Sequence, residues 1–205
     1  MTATYLVFDT ETSGLFDFKR PADDPDQPRL ASAAFIVADE DGNEISRTSH
    51  LIRPDGWTMP LEAEAINGLS TELLNMEGVP MADVLDIYQG HIEAGLIVTA
   101  FNVQFDCKVM RAELRRAGRP DLFEQTPNSC LMRGLAPYKD KGLAVKGGFV
   151  KLAVACEHFS IINADAHDAM ADAEAALALL QILVRDGNLI PPKIHYAKDR
   201  SEVAA

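Results

Sequence analysis

The amino-acid sequence predicts an α/β fold, because apolar runs of strand length come first and apolar residues with helical spacing come later. Residues 4–9 and 30–38 are short runs rich in apolar side chains, which is typical of buried strands. After Pro60 the apolar residues recur every three or four positions, apart from the short run 96–101. Strands in succession, followed by strands that alternate with helices, predict a mixed sheet with helices packed against it.

The first three predicted strands form a meander. Residues 4–9 are too few for a helix and predict a strand at the centre of the sheet. Segment 39–43 contains the Asp-Gly and Gly-Asn steps of a hairpin turn. It therefore joins strand 30–38 to a strand over residues 44–52. The run 96–101 is a further strand, placed between two helices.

Three helices follow from apolar spacing and from the glycines that end them. The spacing predicts helices over residues 81–92, 105–117 and 170–184. Gly95, Gly118 and Gly187 follow these segments, and glycine is common just after a helix because it tolerates a left-handed backbone.

Length and composition predict one globular domain. The chain has 205 residues, of which 47% are hydrophobic and 24% charged. We expect a single domain over residues 1–190 and a polar tail over residues 191–205. Residues 17–28 contain three prolines and four aspartates, which predicts an exposed acidic loop.

The apolar runs are far shorter than the roughly 20 residues that a membrane span needs. This excludes an integral membrane protein, and the N-terminus lacks the pattern of an export signal. The three cysteines are widely spaced and contain no CxxC pair, so neither a disulfide framework nor a zinc ribbon is indicated. We expect a reducing, cytoplasmic location.

The formal charge of −12 argues against a protein that binds nucleic acid through an overall basic surface. The charge is uneven, because residues 107–151 carry ten bases and four acids. Tyr138 and Phe149 lie among these bases, a composition that suits contacts with a phosphate backbone. The alternative is a solvated helix face followed by a polar loop, and charge alone leaves both open.

Two carboxylates follow the first strand in the sequence Asp9-Thr-Glu-Thr-Ser-Gly14. Because side chains alternate along a strand, Asp9 and Glu11 lie on the same side. Their like charges repel unless a cation lies between them, and carboxylate oxygens suit Mg²⁺ or Mn²⁺. The alternative is an ordinary polar turn at a strand end.

Two further segments place acids at predicted helix starts. Asp106 follows the strand 96–101, where an acid also stabilises a helix N-terminus. His167 lies five positions before Asp172, so both can face one cavity where the last helix begins. Taken alone, His167 is more typical of a polar surface residue, and Asp168 or Asp172 of an acid at a helix N-terminus.

Together, Asp9-x-Glu11, Asn102-x-x-Phe-Asp106 and His167-x4-Asp172 resemble the three motifs of the DEDD exonuclease superfamily, in the subclass whose last motif carries histidine. The resemblance covers about residues 4–185. The superfamily includes proofreading 3′–5′ exonucleases, ribonuclease T and oligoribonuclease. It implies a ribonuclease H-like mixed five-stranded sheet, an antiparallel meander plus parallel strands, flanked by helices.

The same resemblance implies a metal-dependent 3′–5′ exonuclease that releases 5′-mononucleotides from single-stranded nucleic acid, with DNA favoured. Asp9, Glu11, Asp106 and Asp172 would hold two Mg²⁺ or Mn²⁺ ions, and His167 would take the proton of the attacking water. The implied partners are single-stranded 3′ ends and a polymerase or repair protein. No membrane partner is expected, and the oligomeric state stays open.

The resemblance also assigns residues to the terminal nucleotide, with Leu15 as an apolar wedge against its base. The expected substrate-binding residues are Thr10, Thr12, Gly14, Leu15, Ile66, Asn67, Asn102 and Phe105. Phe105 and Ile66 are equally candidates for the core, and Asn102 for bracing a helix start. Many members have histidine at the positions of Phe101 and Asn67, so contacts through those imidazoles are absent here.

Three alternatives remain at this point. The first is an exoribonuclease of the ribonuclease T or oligoribonuclease type. The second is a non-catalytic module that binds nucleic acid or a partner on the same fold. The third is a phosphatase with an aspartyl nucleophile, which is disfavoured because that chemistry uses Asp-x-Asp and this chain has Glu11 as the second acid.

Overall fold

A computed structural model of the chain describes residues 2–122, 125–145 and 149–194. Its centre is a five-stranded sheet with the order β3-β2-β1-β4-β5. The strands are β1 Tyr5–Thr12, β2 Leu30–Ala38, β3 Glu44–Leu51, β4 Ile97–Ala100 and β5 Asn128–Cys130. The predicted mixed sheet is confirmed.

The first three strands pair antiparallel, and β4 and β5 join the sheet parallel to β1. The turn between β2 and β3 depends on Asp39, whose carboxylate accepts hydrogen bonds from the backbone N–H groups of Asp41 and Asn43. Gly42 adopts a φ of +81°, a left-handed conformation that glycine tolerates best. The hairpin predicted over residues 39–43 is therefore confirmed.

Helices cover both faces of the sheet. They are α1 Leu61–Asn67, α2 Thr71–Glu77, α3 Met81–Glu93, α4 Val103–Arg116, α5 Leu131–Gly134, α6 Leu152–Phe159 and α7 Ala169–Arg185, with a 3₁₀ helix at Ala136–Lys141. The helices predicted over residues 81–92, 105–117 and 170–184 correspond to α3, α4 and α7. In the described ranges no helix is long and apolar enough to cross a bilayer.

Two hydrophobic clusters stabilise the two faces. Leu6 and Phe8 of β1 pack with side chains of α3 and α4 on one face. Tyr5 and Val7 of the same strand pack with α7 on the other face. Every residue of β2 is buried, so the strands at the centre of the sheet have apolar side chains on both faces.

The acidic loop over residues 17–28 packs against α4. The guanidinium of Arg116 donates to the backbone carbonyls of Asp24, Gln27 and Pro28, and the ammonium of Lys108 donates to the carbonyl of Asp17. These contacts fix the loop to the helix.

The arginines of α4 have carboxylate partners in the fold. Arg111 and Arg115 both donate to Asp121, at 2.7 Å each, and Arg119 donates to Asp86. This favours the structural interpretation of the basic helix over the phosphate-binding one, because each of these charges already has a neighbour of opposite sign. Lys146, another base of the segment, lies outside the described residues.

The described chain ends at residue 194. Lys193 pairs its backbone with Asn128 of β5, so the first residues of the predicted tail lie along the sheet. Residues 195–205 of that tail lie outside the described residues. The division into a domain over 1–190 and a tail over 191–205 stays a prediction.

Candidate active site

The last part of β1 carries the first two acids. Asp9 pairs with Ala34 and Glu11 with Ser32 in the antiparallel register, so the two side chains lie on the same side of the strand. The register shifts immediately afterwards, between Glu11 and Thr12. The two carboxylates therefore lie where the strand leaves the sheet.

Asp106 reaches the same place from the neighbouring strand. Because β4 runs parallel to β1, its carboxyl end lies at the same edge of the sheet, and α4 begins directly after it. Asp106 lies in the first turn of α4 and is only 4% exposed. The Thr10 hydroxyl donates a hydrogen bond of 2.8 Å to its carboxylate. This bond fixes the orientation of the carboxylate.

Asp172 lies in the first turn of α7 and is held by the loop before it. The amide Nδ2 of Asn163 donates to its Oδ1 at 2.6 Å, and the backbone N–H of His167 donates to its Oδ2 at 3.3 Å. Asp168 caps the helix by accepting from the backbone N–H groups of Met170 and Ala171.

His167 is exposed at the mouth of the site. Its φ is +72°, a left-handed conformation that residues other than glycine adopt uncommonly. A ligand atom of its imidazole lies within 4.8 Å of carboxylate oxygens of Glu11 and Asp172. The loop conformation thus brings the imidazole beside two of the four acids.

A cavity of about 640 Å³ collects all of these side chains. Its lining includes every residue that the sequence assigned to the site, namely Asp9, Thr10, Glu11, Thr12, Gly14, Leu15, Ile66, Asn67, Asn102, Phe105, Asp106, His167 and Asp172. The predicted residues therefore come together from separate parts of the chain. Their individual roles stay predictions.

The apolar residues of the cavity differ in how much of their surface is exposed to solvent. Leu15 is 88% exposed and Ile66 is 61% exposed, so both present bare apolar surface at the opening. Phe105 packs edge-on against the buried ring of Phe16, with a centroid distance of 5.9 Å. Phe105 therefore belongs partly to the core and partly to the cavity wall.

The polar residues of the cavity wall are largely engaged within the protein. The Thr12 hydroxyl donates to the carbonyl of Gly14 at 2.6 Å, and the Asn67 amide donates to the carbonyl of Thr12 at 3.2 Å. Asn102 precedes α4 without capping it through its side chain. The Asn102 amide is thus not used to brace the helix start by a capping bond.

Burial and the charges of neighbouring carboxylates raise the pKa of three acids of the site. Burial raises the pKa of Glu11 to about 8, with the charge of Asp172 as the next cause. Burial also raises the pKa of Asp106 to about 7, although the hydrogen bond from Thr10 opposes the shift. The pKa of Asp9 lies well above its usual value because of burial and then the charge of Asp106. Glu11 and Asp106 therefore hold protons near neutral pH when no cation balances them.

This arrangement fits a divalent cation. Asp9, Glu11, Asp106 and Asp172 offer hard oxygen ligands in one cavity. A positive charge there would favour the ionised forms of Asp9, Glu11 and Asp106, whose pKa values are raised by burial and by neighbouring charges. Within the described ranges, Glu11, His167 and Asp172 form a group that could hold a metal ion, with one ligand atom of each within 4.8 Å of the other two. The histidine therefore lies where it could serve either as a ligand or as a base.

Asn163 is the site residue that sequence reasoning missed. Its contact with Asp172 depends on the path of the loop between α6 and α7, and no periodicity or motif marks that path. Its Oδ1 is buried without a hydrogen-bond partner among the described residues.

A family of known exonucleases matches this chain. The sequence model of the RNase_T family, described as "Exonuclease", matches residues 6–180, which include all five acid and histidine positions. The chain belongs to this exonuclease family. The resemblance to the DEDD exonucleases is thereby confirmed, and the phosphatase alternative is set aside.

Relatives of this exonuclease domain are found in DNA polymerases. The chain is 30% identical over 187 residues to the PolC-type DNA polymerase III of Streptococcus sanguinis, and 29% identical to that of Streptococcus pyogenes. Each alignment covers 90% of this chain but 11% of the polymerase.

Solved structures share the fold. E. coli exonuclease I in complex with a dT13 oligonucleotide superposes with a TM-score of 0.74 at 22% identity. The match covers 89% of this chain and 41% of exonuclease I. The ribonuclease H-like sheet predicted from the motifs is confirmed by this similarity.

Proposed function

We propose that this chain is a metal-dependent 3′–5′ exonuclease that removes 5′-mononucleotides from single-stranded DNA. The observation that carries the proposal is the convergence of four acids and a histidine in a single cavity. A family match over residues 6–180 supports the exonuclease chemistry. The similarity to a structure of exonuclease I with a bound dT13 strand favours single-stranded DNA over RNA.

The proposed ligands of the cation are Asp9, Glu11, Asp106 and Asp172. Two divalent ions held there would supply positive charge that stabilises the negative charge developing on the phosphate as water attacks. E. coli exonuclease I, which has the same fold, forms a zinc-bound complex with single-stranded DNA, and this supports metal binding on the fold. Mg²⁺ and Mn²⁺ remain the proposed ions because the donor set is mainly carboxylate.

The chain's own residues orient this site. Thr10 holds the carboxylate of Asp106, while Asn163 and the backbone of His167 hold that of Asp172. The His167 imidazole takes the proton of the attacking water, because it lines the cavity and has a ring nitrogen within 4.8 Å of carboxylate oxygens of Glu11 and Asp172. Leu15 and Ile66 supply exposed apolar surface against which the terminal base packs.

The first test uses single-stranded DNA and RNA oligonucleotides of the same sequence, labelled at the 5′ end, with Mg²⁺ or Mn²⁺. We expect a ladder that shortens from the 3′ end and shortens faster with DNA. Asp172→Asn should abolish it, because the variant loses a metal ligand. Asp165→Asn is the matched control, since Asp165 is an exposed acid of the loop before α7 that does not line the cavity. Absence of turnover with both polymers would favour a binding module.

A second test separates the two roles open to His167. If the imidazole is the base, His167→Ala lowers kcat by about 10²–10⁴-fold while the metal-induced rise in melting temperature is unchanged. If the imidazole is a ligand, both quantities fall. Loss of the thermal shift together with activity would contradict the proposed role as base.

The proposed setting is a cytoplasm in which DNA ends are produced. All three cysteines are free and buried, which suits a reducing compartment. Alignment with a segment of PolC-type polymerases supports a polymerase as the partner class that generates such ends.

A further inference from the structure

A second cavity opens beside the acidic one. It has a volume of about 840 Å³ and shares Phe101 and Asn102 with the first cavity. These two residues stand at the end of β4, immediately before the helix that carries Asp106. A DNA strand whose 3′ end lies among the acids can therefore continue into the second cavity along the protein surface.

The second cavity carries bases that the fold does not neutralise. Arg133 and Lys139 both line it and are exposed. Neither has a carboxylate partner among the described residues, in contrast to Arg115, Arg116 and Arg119 of the same basic segment. The positive charge of residues 107–151 is thus available at this cavity, next to a site whose acids repel phosphate.

Two aromatic rings stand in the same cavity. Phe18 is 61% exposed and Phe149 is 68% exposed, an unusual position for large apolar side chains. The Lys108 ammonium lies 4.5 Å from the centroid of the Phe18 ring, which helps to fix that ring in place. Exposed rings interleaved with bases are the arrangement that proteins use to stack on the bases and contact the phosphates of single-stranded nucleic acid.

We propose that the second cavity binds the nucleotides that precede the 3′-terminal nucleotide of single-stranded DNA, with Arg133 and Lys139 on phosphates and Phe18 and Phe149 stacked on bases. This inference rests on the proposed function, because it takes the acidic cavity as the place of the terminal nucleotide. It explains how a chain with a formal charge of −12 holds a polyanion. The attraction for phosphate comes from the second cavity, which adjoins the cavity that holds the acids.

Binding is measured first, by fluorescence anisotropy of a 5′-labelled dT12 strand in the Asp172→Asn background, with Mg²⁺ present. Adding Arg133→Gln and Lys139→Gln together should raise Kd roughly tenfold and reduce the slope of log Kd against log salt by about 1.4, from two lost phosphate contacts. Phe149→Ala should raise Kd by about fivefold or more through lost stacking. The matched control is Arg53→Gln with Lys193→Gln, two exposed bases that line neither cavity.

An unchanged Kd in the Arg133 and Lys139 double variant would overturn the inference. So would an equal effect of the control pair, because it would show that net charge alone matters. A loss of affinity seen with an RNA strand and not with the DNA strand would also overturn it.

Hydrolysis then separates the inference from the proposed function. In otherwise unaltered protein, the double variant should raise KM for dT12 with kcat unchanged, and should leave KM for the dinucleotide dT2 unchanged. An equal rise for both substrates would overturn the inference, since the single phosphodiester of dT2 is the scissile one and leaves no further phosphate for Arg133 and Lys139 to contact. If no substrate is hydrolysed while the binding effect persists, the proposed function fails and the DNA-binding cavity stands.

Discussion

Asp172 shows how single residues of the loop before α7 prepare the site. Its two carboxylate oxygens accept from Asn163 and from the backbone of His167, so a proposed metal ligand is oriented by groups that touch no substrate. Such supporting hydrogen bonds fix the direction in which a ligand offers its lone pairs. Asn163 is therefore a positioning residue in this arrangement.

We expect Asn163→Ala to weaken metal binding or activity by about 10- to 100-fold, the usual effect of losing a bond that orients a metal ligand. The apparent Mg²⁺ concentration for half-maximal rate should rise, which a merely structural residue would not change. Asn188→Ala is the control, because the Asn188 amide donates to the Tyr138 hydroxyl, away from the cavity. An equal Mg²⁺ dependence in Asn163→Ala and the unaltered protein would contradict this role.

Among single residues, the sequence predicted the acids and the histidine of the site, whose side chains are typical of metal binding and proton transfer. It did not predict Asn163, whose contact with Asp172 depends on the path of a loop. Asp9 and Glu11 lie near the end of β1, so alternation along the strand predicted that they share a side, and the resemblance to the exonuclease motifs predicted that Asp106 joins them. The role of Asn163 depends on a loop in which His167 adopts a left-handed backbone. Nothing in a single sequence encodes such a loop in recognisable form.

Among the elements, the connection between α4 and the start of β2 depends on one buried acid. Glu113 is 1% exposed, and its carboxylate accepts from Arg29, from Arg116 and from the backbone N–H of Leu30. Arg116 in turn holds the carbonyls of the acidic loop. The carboxylate therefore joins a helix, a strand and a loop.

We expect Glu113→Ala to lower the free energy of unfolding by about 3–5 kcal/mol, because Arg116 loses the carboxylate of Glu113, Arg29 keeps only that of Asp55, and the N–H of Leu30 loses its acceptor. Urea denaturation measures this directly. Glu157→Ala serves as control, since Glu157 is an exposed acid of α6. A loss no larger than that of the control would show that the ion pairs contribute little.

The predictions of strands and helices were correct where a segment had enough apolar residues to form a run or a regular spacing. The strands over residues 4–9 and 30–38 and the helix over residues 170–184 each contain a regular apolar pattern. The strand β5 contains three residues, Asn128, Ser129 and Cys130, and the sequence does not reveal it because so short a polar run has no period. The sequence also did not reveal the partners of Arg111 and Arg115, because Asp121 contacts them only in the folded protein.

For the whole molecule, the raised pKa values link stability to pH and to metal. The pKa of Glu11 is about 8 in the fold against 4.5 ordinarily, and that of Asp106 is about 7 against 3.8. Both groups bind protons more tightly in the folded protein than in the unfolded chain. Without metal, the stability that these groups contribute at low pH is therefore lost as the pH rises from about 4 to about 8.

We expect a divalent cation to replace those protons and to stabilise the fold more at pH 8 than at pH 5. With Mg²⁺ or Mn²⁺ at about 100 times Kd, the melting temperature at pH 8 should rise by about 5–10 °C. Differential scanning calorimetry with metal and with EDTA, at both pH values, measures the effect. A thermal shift of the same size at pH 5 and pH 8 would contradict the link between these carboxylates and metal.

The two edges of the sheet determine whether strands of a second chain can add to it. The edge strand β3 is exposed along most of its length, and its Arg47 pairs with Glu44 and with Glu174 of α7. At the opposite edge, the backbone of Lys193 pairs with the first residue of β5. A charged strand at one edge and a paired backbone at the other both discourage strands of a second chain from adding to the sheet. The same features that complete the fold thus protect it from aggregation.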